Sequence, residues 1–460
     1  MSKQLLIKNC LMTTFFNDGY NATKILQDVD ILIQDGKIMR IDKGIRPKGE
    51  CKTIDGTGKL AAPGFVNGRS RSLASLVSKS MAADIKCSRF GDTPLYIRVN
   101  PFVNIALEVL SDRQLKSVLR LALYEAIRGG TTTVLEHCSV RELPIMLELY
   151  GELGMRGVVS PMLMSRRELP VTDAWGCCAN QLEDVDEDAL VAWNRAIVEK
   201  TAGGLVRAGM GLGSVETVSE SLMRKVGKAA FDLDCMIMVP VNETNQERDV
   251  CQERYGMSPA QVLHKNHVLH RKTIAGGNLY ADKTDRRILR SGASAVALNP
   301  IDNLHDARTA PFLDFQYDDL EILIGSGCST GDMTEQVKML TLAGKLERGL
   351  RHQMRAQKTF FAATTGGAQA ACLPVGELDE GLNADLILID VSQPHYHPFT
   401  MPITDLIYNT SASDITEVII NGRLVKENGI VLNMDPRLVV QETEDAMELV
   451  WTRARETGAL

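Results

Sequence analysis

Eight short apolar runs separated by helical stretches set the character of this chain. They read AAPGFVNGRS (61–70), TTTVLEHC (131–138), RGVVSPMLM (156–164), GLVRAGMGLG (204–213), CMIMVPVNE (235–243), KTIAGGNL (272–279), ASAVALNP (293–300) and EILIGSG (321–327). Strands alternating with helical patterns are the rhythm of βα units on a parallel sheet. Eight such units close a (β/α)8 TIM barrel, so the fold class is α/β. One of the intervening helices is SDRQLKSVLRLALYEAIRGG (111–130), where Gly129 and Gly130 supply the stop.

The two ends of the chain read differently. Residues 5–61 alternate in the manner of β segments, with Asp35-Gly36 as a hairpin turn signal. The same signals return in ADLILID (384–390) and TEVIINGRLV (416–425), with Asn421-Gly422 as a second hairpin turn. Both ends are therefore expected to join in one β-sandwich beside the barrel. The expected division is 1–62 and 375–435 for the two parts of the sandwich, 63–374 for the barrel, and 436–460 for a terminal amphipathic helix.

Composition excludes several classes. At 460 residues, 44% hydrophobic and 24% charged, the chain is not mainly disordered, collagenous or coiled-coil. With 51 Lys and Arg against 58 Asp and Glu, a net charge of −7 offers no basic field for nucleic acid or anionic lipid. MSKQLLIKNC lacks the apolar core of a signal peptide, and no run approaches the ~18 apolar residues of a membrane span, which points to a cytoplasmic protein. The 10 cysteines are scattered without a CxxC and read as reduced thiols; Cys177 and Cys178 are too close for an easy disulfide.

The motifs AAPGFVNGRSRS (61–72), GTTTV (130–134), NETNQE (242–247), ALNPIDN (297–303), ATTGGAQAACLPVGELDEGLNADLILID (363–390) and VIINGRLV (418–425) occur in this order over nearly the whole chain. Together they resemble the amidohydrolase superfamily, in its cytosine deaminase, guanine deaminase and triazine chlorohydrolase branch. The resemblance implies a divalent metal at the barrel mouth. Its ligands would be an HxH pair after strand one, a His after strand five, a His after strand six and an Asp after strand eight, which together acidify a water.

At all five positions this sequence departs from that pattern. The two histidines of the pair are Arg69 and Arg71, the next two fall on Pro240 and Gly276, and the aspartate falls on Gly327. Proline and glycine carry no ligating side chain, and a guanidinium has no lone pair to give a cation. The expectation is no metal and no other cofactor. His264, His267 and His270 precede strand six at the opposite end of the barrel, and His395 and His397 lie in the returning β region, so neither group is expected in a site.

What the resemblance keeps is Glu243, aligned with a glutamate that exchanges protons with a ring nitrogen or leaving group. It also keeps Asn299 and Asn303 in a turn that shapes the substrate pocket. Arg69 and Arg71 lie two apart on one strand and share a face, by analogy the barrel interior. The catalytic set expected is Glu243 for proton transfer with Arg69 and Arg71 for charge stabilisation. Asn67, Asn242, His137, Asn299, Asn303 and Cys328 are expected around the substrate. Cys328 could be a nucleophile if an arginine lowered its pKa, although a buried inert thiol is the commoner outcome.

Two guanidinium forks favour an anionic small molecule; equally, they could neutralise Glu243, Glu136 or Glu216 in a dead site. Two functions therefore stand. One is metal-independent chemistry on the C–N bond of a small anionic nitrogenous compound. The other is a catalytically silent homologue that binds or regulates. Relatives of this kind are commonly dimers or larger oligomers.

Overall fold

The computed structural model describes residues 4–15, 23–79, 95–165, 185–292, 294–349 and 351–458. Cys177 and Cys178 lie outside them. All eight strand runs form strands: Phe65–Ser70, Thr131–Cys138, Arg156–Pro161, the pair of pieces Val206–Ala208 and Met210–Gly211, Ile237–Val241, Thr273–Gly277, Ala295–Leu298 and Ile322–Ile324. They are called strands one to eight below.

Strands one to four, to Ala208, form a four-stranded parallel sheet, and Met210 through strand eight form a five-stranded one. Both seams between these sheets are bridged in parallel, Ser70 to Gly327 on one side and Leu163 to Leu212 on the other. The ring is thereby closed. Val66, Leu135, Met238, Ile274, Ala297 and Leu323 form one apolar cluster inside it, capped by Ala368 and Leu373. The intervening helices cover its outside.

Local chemistry explains the helix ends. The helix expected at 111–130 runs Asp112–Arg128, with Ser111 and Gln114 closing a reciprocal capping box. The last helix, Pro436–Thr457, starts on Asp435, whose carboxylate accepts from the Arg437 N–H. Ser117 donates to Glu442 at 2.8 Å, which holds it on the barrel's outer helix layer.

The ends of the chain meet in one nine-stranded hydrogen-bonded network, its C-terminal strands side by side on one flank and its N-terminal strands on the other. Lys59–Pro63 and Leu386–Asp390 pair antiparallel at its centre. Asp35-Gly36 and Asn421-Gly422 both have positive φ at each residue, as a two-residue hairpin of type I′ requires. A separate core including Leu5, Ile7, Ile31, Ile33, Leu386 and Ile419 fills this β region. Arg156 of strand three reaches across to Asp385 in a two-pronged pair at 2.7 and 3.0 Å, tying barrel to β region. No helix among the described residues is long and apolar enough to cross a membrane.

Candidate active site at the barrel mouth

Strand one delivers Arg69 to the mouth, and strand five ends two residues before Glu243. Arg69 Nη1 donates to Glu243 Oε1 at 2.6 Å and Nη2 donates to Oε2 at 3.2 Å. Arg69 is 1% exposed and the Glu243 side chain 21%. Burial raises the Glu243 carboxyl, but the Arg69 charge and hydrogen bonds, with Arg71 behind, hold it below its ordinary value. Glu243 is therefore an ionised carboxylate with both oxygens engaged.

The glycine of strand six makes this pairing possible. A Cβ at Gly276 would stand 2.6 Å from both Cδ and Nε of Arg69. The arginine side chain therefore fills the room that any larger residue at 276 would need. Gly327, in the left-handed region at φ 59°, plays the same part for Asp302: a Cβ there would lie 1.9 Å from Asp302 Oδ2.

Arg71 does not repeat the pattern of Arg69. It follows strand one, and its backbone N–H donates to the Gly327 carbonyl at 2.8 Å. Its fork reaches Cys328 Sγ at 3.5 Å and Asn100 Oδ1 at 3.3 Å, and it pairs with no carboxylate among the described residues. The two forks expected to wait free for an anion are thus not both free: Arg69 is closed on Glu243. Nor do Glu136 and Glu216 neutralise either arginine. Glu136 accepts from the Ser72 N–H and hydroxyl, both at 2.7 Å, and from Tyr150. Glu216 accepts from Tyr96 at 2.9 Å.

A cavity of about 300 Å³ opens at this end of the barrel, and Glu243, Asn299, Asp302, Asn303 and Cys328 are among its lining residues. Asn67 is not a lining residue there. It exchanges two hydrogen bonds with Ser326, at 2.9 and 3.0 Å, and so staples strand one to strand eight. In this position the amide of Asn67 links the two strands. Asn242 is fully buried in a left-handed conformation, and neither side-chain atom has a partner among the described residues.

His137 is 1% exposed, and neither ring nitrogen makes a hydrogen bond of ordinary geometry. Burial first, then Arg69 and Arg71, hold it neutral, with only a weak opposing pull from the Leu212 carbonyl. Cys328 keeps its place at the cavity but not the nucleophilic character considered for it. Burial pushes its thiol up to about 12 despite Arg71. His264 and His267 are exposed away from the mouth, and His395 lies beside Asp414 in the β region.

Sequence reasoning missed Asp302 and a buried acidic group behind Glu243. Asp302 stands between Asn299 and Asn303 in NPIDN, and a charge inside a pocket-shaping turn was the available signal. Burial pushes it up to about 6 against the pull of the Cys328 N–H and Arg69. The acidic group comprises Glu216 and Glu247. Burial raises both, the second well above the carboxylate range, and Glu247 accepts from the Glu243 N–H at 2.9 Å. The sequence offered Glu216 only as a partner for the arginines and Glu247 only as the end of NETNQE; what brings them together is the packing of the short turn Val215–Thr217 against the helix Asn245–Tyr255.

Residues 66–425 match the amidohydrolase family. The chain belongs to that family. Among its relatives, a 5-methylthioadenosine/S-adenosylhomocysteine deaminase of Pyrococcus horikoshii is 24% identical over 443 residues, covering 95% of this chain and 98% of that protein. A 5'-deoxyadenosine deaminase of Methanosphaera stadtmanae is 26% identical, over 92% of this chain and 95% of its own. The fold agrees with an adenosine deaminase from Xanthomonas campestris with bound zinc at a TM-score of 0.85, 21% identity and coverage of 97% and 98%. It agrees also with the atrazine chlorohydrolase TrzN of Arthrobacter aurescens, complexed with zinc, at 0.84, 20% identity and coverage of 96% and 100%.

Within this amidohydrolase, the five positions at which the resemblance implies metal ligands carry side chains that do not suit a divalent ion. Two are cationic, one is a proline, and the two glycines are backed by Arg69 and Asp302, which occupy the space a ligating side chain would enter. Among the described residues no group of three or more His, Cys, Asp or Glu is arranged to hold an ion.

Proposed function

We propose that this amidohydrolase acts without a resident divalent metal on the C–N bond of a small nitrogenous compound. The observation that supports the reading is the Arg69–Glu243 fork at the mouth of the barrel. A guanidinium here supplies fixed positive charge where the family resemblance implies a cation. It also keeps Glu243 deprotonated and able to accept a proton.

In hydrolytic deamination, Glu243 takes a proton from water as the water oxygen bonds to the carbon. The same proton then passes to the departing nitrogen, the C–N bond breaks, and ammonia leaves. Glu243 returns to its carboxylate form. Arg69 and Arg71 oppose the negative charge that develops during addition. That relatives of the chain include deaminases supports the choice of bond.

One feature favours a second reading, a silent binding protein. Both oxygens of Glu243 are already engaged, and an arginine-bound carboxylate is a weak base. Ammonia release from a panel of amino-purines, amino-pyrimidines and amino-triazines, with protein stripped by chelator, separates the two. Turnover that persists without metal and falls by roughly two to four orders of magnitude in Glu243→Gln supports catalysis. Turnover that requires added zinc refutes metal independence, and ligand binding with no turnover supports the silent protein.

A further inference from the structure

Behind Glu243 lie two carboxyl groups that the proposed reaction does not use. Glu216, in the short turn Val215–Thr217, and Glu247, in the first turn of the helix Asn245–Tyr255, are 0% and 1% exposed. One oxygen of each is engaged: Glu216 Oε1 accepts from the Tyr96 hydroxyl at 2.9 Å, and Glu247 Oε2 accepts from the Glu243 backbone N–H at 2.9 Å. The other two, Glu216 Oε2 and Glu247 Oε1, are sealed from water and make no hydrogen bond of ordinary geometry among the described residues.

The two carboxyls are neighbours. Glu216 is the strongest charged influence on Glu247, and both bear on the Tyr96 hydroxyl. Also facing the pair are Ser214 and the Val215 N–H from the same turn as Glu216, and Glu243 from the end of strand five. The one cation in contact, Arg254, donates to the Glu216 backbone carbonyl at 2.8 Å and leaves both carboxylates without a positive partner. An ionised carboxylate oxygen shut away from water and donors carries the full cost of its lost hydration, and two side by side add their repulsion. A single proton relieves both effects, because a carboxylic acid O–H can donate to the neighbouring carboxylate and the pair then bears one charge.

We infer that Glu216 and Glu247 hold one proton between them and that this protonated pair is the device that positions Glu243. Glu247 grips the Glu243 N–H, and Tyr96 bridges Glu216 Oε1 and Thr244 Oγ1 at 2.9 and 3.0 Å. Tyr96 belongs to the helical turn Leu95–Val99, whose end residues line the cavity, so the same tie fixes a wall of the cavity against the segment that carries Glu243. The inference deepens the function proposed above and rests on it only for what Glu243 does once held; the shared proton and the ties do not require turnover. Burial raises both carboxyls, so the folded pair keeps a proton that the unfolded chain releases near 4.5. Its stabilising part is therefore present in acid and is lost as pH rises through the folded value.

The test counts un-ionised carboxyls by infrared spectroscopy of the full chain at pH 7, where the carbonyl stretch of an acid stands apart from that of a carboxylate. Glu216→Gln and Glu247→Gln are each expected to remove one acid, since the new amide supplies the missing donor, and the double substitution is expected to remove one and not two. Amide hydrogen exchange reads the positioning: protection of the Glu243 N–H should fall roughly tenfold in Glu247→Ala and persist in Glu247→Gln, whose carbonyl oxygen still accepts. An acid lost from only one single variant or from neither, two lost from the double, or Glu243 protection unchanged in Glu247→Ala would overturn the inference. The near-isosteric glutamine variants keep the count decisive even where Glu247→Ala folds poorly. A count of one with no turnover of any amino-heterocycle would sink the catalytic reading and support this one.

Discussion

Replacing Gly276 with alanine places a methyl group where the Arg69 side chain runs. The new carbon would sit 2.6 Å from Cδ and Nε and 3.1 Å from Cζ, whereas unstrained carbon contacts lie at roughly 3.5–4.0 Å. Arg69 must therefore retreat by about 1 Å, and its fork on Glu243 leaves no slack to do so. If the arginine is squeezed but keeps its partner, overpacking costs about 1–3 kcal/mol. Should it let go of Glu243, the loss approaches the roughly 3–5 kcal/mol of breaking a buried pair. The measurement is a urea unfolding midpoint for Gly276→Ala, made in the native sequence and again in Arg69→Ala. In the second background the struck atoms are gone, so the added methyl should cost less than about 0.5 kcal/mol and the two sites should couple strongly. A small cost in the native sequence, or the same cost in both backgrounds, would refute the placement of Arg69 over strand six.

Other consequences follow from the same geometry. Burial pushes Glu142 up to about 7, so the folded state holds a proton there that the unfolded chain loses near 4.5. Its relative stabilisation is present below about 4.5 and is lost as pH rises through about 7. Glu142→Gln should therefore gain up to about 3 kcal/mol over the native chain at pH 8 and nothing at pH 4, read by denaturation at both values. Cys328 lines the cavity, but its thiol is pushed up to about 12, so it should resist iodoacetamide at pH 8, and peptide mapping that finds it alkylated first would contradict that raised thiol. Asp385→Ala leaves Arg156 buried without its partner and should destabilise the chain by roughly 3–5 kcal/mol in thermal unfolding, with loss below about 1 kcal/mol counting against the barrel-to-β link. Exhaustive dialysis against chelator should leave the thermal midpoint unchanged, and a drop restored by zinc would reveal a resident ion.

Much of the architecture was legible because it is written in local patterns. Strand runs from 61–70 to 321–327, the capped helix after Ser111 and the Asn-Gly and Asp-Gly turns each follow from a few neighbouring residues. Site chemistry was legible only in part. Asn67 was expected to meet a substrate, yet Ser326 satisfies it from 259 positions away. Asp302 was passed over although the asparagines on either side of it were singled out, because its importance comes from the empty Cβ position of Gly327 rather than from its own motif.

Residue identity alone settles what stands at three of the positions where the resemblance implies metal ligands: proline and glycine at 240, 276 and 327 have no ligating side chain, however the chain folds. Whether the arginines met an anion, a carboxylate or each other was decided in three dimensions. Arg69 and Glu243 are 174 positions apart, and only closure of the barrel brings strands one and five to a common mouth. Charge interacts through space with whatever burial places beside it, so the pairing that defines this site belongs to the tertiary structure.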